Sequence, residues 1–374
     1  MELDAFRKGL DDWLEQEHEA LAPPFAGPGT LDEQMEQLNK VKRLVWEADW
    51  GRWGWPESIG GLGGSTLLRA YLGEALTARD LVEAGLFSMN ETLVPTMIDY
   101  APAELAADFA HRQLSGAETW CQGFSEPSTG SNLSSLTCRA TPVDGGYRVS
   151  GQKVWTSLAQ FSQRCVLLTR TGTQESAHRG ITALFVDMDS PGISVRPIET
   201  MHGYLEFCEV FYDDVLVPSS RLLGEENGGW AVAMDLLPFE RSTALWHRGA
   251  LMHRRLDQLL ASGAEIDARD LGAIAQQLWA FRARSRGTQY RMARGEKLSS
   301  ETSIDKVLLA STEQALFELA AESLADQVVL GDGPHDEHWR SEFLYSRAAT
   351  IYGGSAEIQR NIIARRLLDL GDER

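Results

Sequence analysis

The chain has 374 residues, 43% of them hydrophobic, which suits two or three packed layers or subdomains with a real core. Its formal charge of −19 works against nucleic acid or an anionic membrane as partner, since both would be repelled at physiological salt. An anionic ligand must therefore meet a locally basic patch. Cys121, Cys138, Cys165 and Cys208 stand singly, without CxxC spacing or a His/Cys cluster, so they read as buried thiols rather than as metal ligands or disulfides. No run approaches the ~18 apolar residues of a membrane span, and the charged N-terminus lacks a signal-like apolar core; the expectation is a soluble, cytoplasmic protein.

From Leu3 to about Arg112 the pattern is helical, with Met35, Leu38, Val41 and Val45 on one stripe. The Gly/Pro-rich stretch from Gly51 to Ser65 interrupts it. Lacking the Lys-Ser/Thr of a phosphate-binding loop, it reads as a structural loop. Between Glu118 and Gly224 the period becomes two, in runs such as Tyr147 to Trp155 and Ile181 to Met188, which predicts an antiparallel β domain. After Asn227-Gly-Gly-Trp the helical period returns and persists to Leu370; the hydrophilic segment from Gly331 to His338 reads as disordered. The expected divisions are residues 1–117, 118–226 and 227–374. The arginine run Arg282, Arg284, Arg286, Arg291 and Arg294 reads mainly as a solvated helix face neutralising nearby acids, with CoA or flavin phosphates as the alternative.

Two motifs carry chemistry. Gly123-Phe-Ser-Glu-Pro-Ser-Thr-Gly-Ser-Asn132, followed by Lys153-Val-Trp-Thr-Ser157, is a Gly/Ser/Thr-rich loop entering a β domain, where backbone amides can approach a ligand closely. Near the C-terminus, in Ile351-Tyr-Gly-Gly-Ser-Ala-Glu-Ile-Gln-Arg360, Ser355 is a good N-cap for a helix whose apolar face would be Ile358, Ile362 and Leu367.

Together these motifs resemble the acyl-CoA dehydrogenase family over essentially the whole chain. The resemblance implies an α+β multidomain fold: an N-terminal α-helical domain, a middle antiparallel β domain and a C-terminal four-helix-bundle-like domain. It implies FAD, contacted by Gln122, Phe124, Ser125, Trp155, Ser157, Ser355 and Glu357. Gly130, Ser131 and Tyr352 would meet an acyl-CoA substrate, and the Gly353 amide would polarise its thioester carbonyl. Many members carry the catalytic glutamate just after the tyrosine, where this chain has Gly353. A subset, including isovaleryl-type and some actinobacterial steroid side-chain enzymes, supplies it from the first helix of the C-terminal bundle, and the matching residue is Glu240, with Arg241 beside it. Asn132 stands where the family usually has aspartate.

The Arg-x-x-Phe-Gly stretch and Gly-Gly-x-Gly loop of simple homotetrameric members are missing, which resembles heteromeric members whose two dehydrogenase-like chains share each flavin. The expected partners are an acyl-CoA, an electron-transfer flavoprotein as acceptor, and either copies of this chain or a second, related chain. Two other readings stay open: a non-catalytic subunit of a heteromer, and a dehydrogenase acting on an acyl carrier protein thioester.

Overall fold

In this computed structural model, which describes residues 1–371, the chain opens with α1 (Leu3–Gln16), α2 (His18–Leu21) and α3 (Leu31–Glu47). Thr30 caps α3 reciprocally: its hydroxyl accepts from the Glu33 amide and the Glu33 carboxylate accepts from the Thr30 amide at 2.8 Å. The expected stripe Met35, Leu38, Val41 and Val45 is buried, packed with Phe6, Leu10 and Leu14 of α1. Helices α4 (Thr66–Ala78), α5 (Ala84–Tyr100) and α6 (Ala103–Leu114) follow. The Gly/Pro-rich interruption is structural. The Gly54 amide donates to the Gly63 carbonyl at 2.8 Å, and Arg69 stacks on Trp55 at 3.9 Å while pairing with buried Glu91 at 3.0 Å.

The middle of the chain contributes β1 (Trp120–Gly123), β2 (Arg139–Val143), β3 (Gly146–Ser157), β4 (Arg164–Arg170), β5 (Ile181–Asp187), β6 (Ile193–Ile198), β7 (Phe207–Pro218) and β8 (Leu222–Leu223). They form one sheet in the order β6-β7-β3-β2-β4-β5-β8, with β1 beside β4. The long pairings β3–β7, β4–β5 and β6–β7 are antiparallel as expected. Strand β1 departs from that pattern by running parallel to β4, and β2 meets β4 in parallel at a single pair. Both β1 and β4 are almost wholly buried, the usual setting of parallel strands.

The chain then returns to helices: α7 (Gly229–Glu240), α8 (Thr243–Ala261), α9 (Ala268–Ala293), α10 (Thr302–Ser323), α11 (Ala325–Leu330), α12 (Pro334–Ser346) and α13 (Ala356–Ile362), the last running into a π-helical turn at Ile363–Leu367. Helix α5 packs on α7 and α8, and α4 on α8, so the two helical parts share an interface. At its centre Gly73 lies against the buried His247 ring, which leaves no room for a Cβ. His247 Nδ1 also bonds the Ser88 hydroxyl at 2.9 Å, and burial pushes the imidazole down to about 3, so it is neutral.

Three expectations need correction. The segment from Gly331 to His338 is not disordered: proline at the first position of α12 and the Asp336 carboxylate accepting from the Gly333 amide at 3.1 Å start a helix there. The face of α13 turned inward is Ala356 and Gln359, while Leu367 of the expected apolar face is exposed. Gln359 has to face inward because its amide caps the carbonyls of the preceding glycine turn. The arginine run of α9 neutralises nearby acids as expected, but not from a wholly solvated face: Arg282 pairs with Glu74 and stacks on Trp246 at 14% exposure, Arg284 reaches Asp305 at 3.0 Å, and Arg291 reaches Glu301 at 2.6 Å.

Candidate active site

The loop after β1 is held from beneath by a buried ion pair. Lys153 Nζ lies 2.9 Å from Glu126 Oε1 and also donates to the Phe124 carbonyl at 3.0 Å. The other Glu126 oxygen accepts from the Thr137 amide and hydroxyl, both at 2.7 Å, and the Cys138 amide donates to Oε1 at 2.8 Å. Burial pushes this carboxyl up, but Lys153 and the amide donors outweigh it and hold the group below its ordinary value. The loop is thereby fixed against β3, whose Val154 amide donates to the Ser125 carbonyl at 2.9 Å.

Strand β3 bulges against β7 between Lys153 and Thr156, and Trp155 at the bulge has a φ of 58°. A left-handed backbone is costly for a tryptophan. Here it turns the ring outward, 57% exposed, with its edge against Phe207. Ser125 and Ser157 are partly exposed, Phe124 is buried, and Gly130 and Ser131 are exposed, with open space where a Gly130 Cβ would be. The Asn132 amide uses both its halves: the nitrogen donates to Ser135 Oγ at 2.7 Å and the oxygen accepts from Ser134 Oγ at 2.8 Å. An aspartate there would lack the donor.

On the opposite wall, α7 ends at Glu240, two residues after the in-helix Pro238, and α8 starts at Thr243 after a break at Ser242. Glu240 therefore sits at the corner between two helices. Its Oε2 is 3.4 Å from the Gln122 side-chain nitrogen on β1. Its Oε1 lies 3.0 Å from where a Cβ on Gly353 would be, so the carboxylate occupies space that a side chain at 353 would take. Gly353 has φ 62° and Gly354 φ 91°, a turn that suits glycine. Arg241 Nε donates to the Gly353 carbonyl at 2.9 Å and Gln359 Nε2 to the same oxygen at 3.2 Å, while the Gly353 amide has no acceptor among the described residues. Ser355 caps α13 by accepting from the Ile358 amide, and Glu357 is exposed.

Two residues of this wall give no signal in the sequence. Lys306, on α10, reads as an ordinary helix lysine, yet it is buried, 3.8 Å over the Tyr352 ring, and donates to the Ala349 carbonyl at 2.5 Å. Burial pushes its pKa down to about 8, against the pull of Glu313 and Glu240. Gln359, a mid-helix amide, is fully buried under the glycine turn.

The residues present fit a flavin. The Gln122 side-chain oxygen and the Thr156 hydroxyl are buried without hydrogen-bond partners, and the outward Trp155 ring offers a stacking face beside them. The site thus combines a β-domain edge suited to a planar, hydrogen-bonding cofactor with a carboxylate facing it from a helix corner.

That combination is the one found in acyl-CoA dehydrogenases, and the chain belongs to this family. Residues 121–215 match the acyl-CoA dehydrogenase middle domain and residues 227–368 the C-terminal domain. Acyl-CoA dehydrogenase IpdE1 of Mycobacterium tuberculosis is 34% identical over 384 residues, covering 100% of this chain and 99% of that protein. The solved structure titled Tcur3481-Tcur3483 steroid ACAD matches with a TM-score of 0.82 at 25% identity, over 99% of this chain and 96% of that one. The ChsE4-ChsE5 complex of Mycobacterium tuberculosis shares the fold, with a TM-score of 0.79 at 24% identity and complete coverage of both chains.

Proposed function

We propose that the chain oxidises the α,β bond of an acyl-CoA thioester to the trans-2-enoyl form, with Glu240 removing the α-proton. The observation that carries this reading is the fit of the Glu240 carboxylate into the space left by Gly353. A base supplied from the helix corner needs a residue without a side chain on the loop it faces. Arg241 and Gln359 hold the Gly353 carbonyl, which leaves its amide free to donate to the thioester oxygen, where negative charge grows as the proton leaves. Gln122, Phe124, Ser125, Trp155 and Ser157, with Ser355 and Glu357 at the glycine turn, would hold FAD; when bound, FAD takes the β-hydrogen as hydride and so becomes reduced as the thioester is oxidised. Gly130 and Ser131 stand at the exposed mouth for the CoA moiety, and Tyr352 walls the acyl side.

The names of the relatives support a steroid-derived acyl group, as in the structure titled a steroid ACAD, and a second dehydrogenase-like chain as partner. An electron-transfer flavoprotein would reoxidise the enzyme. Anaerobic mixing of the purified yellow protein with straight, branched and steroid-derived acyl-CoAs, followed by flavin bleaching, tests the reading. Glu240→Gln is expected to retain flavin and to bleach about 10²- to 10⁴-fold more slowly, the usual range for losing a positioned base. An unchanged bleaching rate in that variant rules out Glu240 as the base.

A further inference from the structure

Lys306 has an uncommon setting for a lysine. It stands on α10 only 2% exposed, and its ammonium has two contacts: the Ala349 carbonyl, to which it donates, and the Tyr352 ring 3.8 Å away. Among the described residues it makes no ion pair. The carboxylates of its own helix are engaged elsewhere, Asp305 by Arg284 at 3.0 Å and the Thr288 hydroxyl at 2.5 Å, and Glu313 by Arg248 through contacts of 3.0 and 3.2 Å. A buried ammonium is costly unless a nearby negative charge offsets it.

That charge lies across the glycine turn. A Cβ on Gly353 would come 3.0 Å from Glu240 Oε1 and 3.3 Å from Lys306 Cε, so the carboxylate and the lysine stem flank one empty position. Burial brings the ammonium down to about 8, against the pull of Glu313 and Glu240 and with the push of Arg241. Near neutrality it is still mostly charged. Glu313 is already paired with Arg248, which leaves Glu240 as the carboxylate for Lys306 to face. The remaining titratable neighbour is Tyr352, whose phenol burial keeps protonated. The same ammonium grips the approach to the glycine turn, because Ala349 belongs to the tight turn Arg347–Thr350 that leads into Tyr352.

We propose that Lys306 is a positioning residue for the dehydrogenation: it holds the Tyr352–Gly353 turn from behind and supplies the cation against which the Glu240 carboxylate stays ionised. This rests on the dehydrogenase reading given above. As the α C–H bond breaks, its proton goes to Glu240 and its electron pair spreads onto the thioester oxygen, so negative charge leaves the carboxylate and appears beside the Gly353 amide. A fixed cation behind the turn faces one negative charge before that step and one after it. Arg241 also faces Glu240, but its Nε is committed to the Gly353 carbonyl.

The test has two arms. In the first, the holoenzyme, Lys306→Met and Lys306→Arg are compared on an acyl-CoA that the wild type oxidises, with kcat/KM measured across the acid limb of the pH profile. The limb is expected to lie about one pH unit higher in Lys306→Met, as when a carboxylate loses a neighbouring cation, and Lys306→Arg is expected to bring most of that change back. A lysine that only braced the turn would lower kcat/KM at every pH and leave the limb in place, and that result overturns the proposal. The second arm needs neither a lysine variant nor turnover: denaturant melts of the wild type and Glu240→Gln from neutral to alkaline pH. While the ammonium is charged, removing its carboxylate costs stability; as the pH rises through about 8 the lysine loses its proton and the coupling goes with it, so the deficit of Glu240→Gln is expected to shrink. A deficit that stays constant overturns the proposal, and this arm decides if Lys306→Met does not fold. If no acyl-CoA bleaches the wild type, the dehydrogenase reading falls and the proposal with it, whereas failure of either pH arm alone leaves that reading standing.

Discussion

Gly353 and Glu240 form one unit although 113 positions separate them in the sequence. The glycine supplies a left-handed turn and an empty Cβ position, and the carboxylate fills it. Gly353→Ala would force a Cβ into that contact and add roughly 1–2 kcal/mol of backbone strain at a positive φ. The expected result is a folded, flavin-bearing protein whose kcat/KM for acyl-CoA falls at least about tenfold, because a small misplacement of a base is costly to rate. Steady-state kinetics beside a thermal melt separates the two effects, and unchanged kinetics would show that the carboxylate does not need this space. Arg241 acts differently from its neighbour: it touches a backbone carbonyl rather than the position where substrate would react. Its hydrogen bond is to the glycine turn itself.

At the scale of elements, the signature loop and β3 are joined through Lys153 and Glu126, both buried. Removing one partner of such a pair leaves an uncompensated charge, at a typical cost of about 3–5 kcal/mol. Lys153→Met is therefore expected to destabilise the protein by that amount at neutral pH and to lose flavin. The pH dependence has a definite sign. In the wild type Glu126 is held below its ordinary value, so its contribution is present above the carboxylate range and is lost as pH falls through the folded value. In Lys153→Met the unpaired carboxyl gains by taking a proton, so the deficit shrinks as the pH drops toward 5. Denaturant melts of both proteins from pH 7 to 5 would show the gap narrowing; a constant gap would mean that the pair is not what holds the loop. The same pair supports the bulge that turns Trp155 outward, so flavin content and loop stability are expected to fall together.

At the scale of the whole molecule, apolar side chains lie uncovered on the C-terminal part. Trp279, Val329 and Leu330 are exposed on α9 and α11, and Ile351, Leu368 and Leu370 flank α13. Contiguous exposed apolar patches mark protein interfaces, and these side chains are candidates for one. A particle larger than the 41.4 kDa chain is expected in sedimentation velocity, either of this chain alone or with a second dehydrogenase-like chain. A monomer that keeps its FAD and bleaches with substrate would rule out a flavin shared between subunits. Among the described residues no helix is long and apolar enough to cross a membrane.

Much of this was readable along the chain. The helix-strand-helix order follows from hydrophobic period, which is a local property, and the Thr30 and Ser355 caps follow from residue type at a helix start. The signature around Gly123 to Asn132 carries the resemblance to acyl-CoA dehydrogenases, and with glycine at 353 it is that resemblance that points to Glu240. Tertiary structure decided the rest. The parallel seat of β1, the inward turn of Gln359 and the burial of Lys306 beside Tyr352 arise from segments far apart in sequence. No local pattern distinguishes a buried lysine or glutamate from a solvated one. Composition and period determine which elements form, whereas desolvation and partnership, which set what a charged side chain can do, exist only once those elements are packed together.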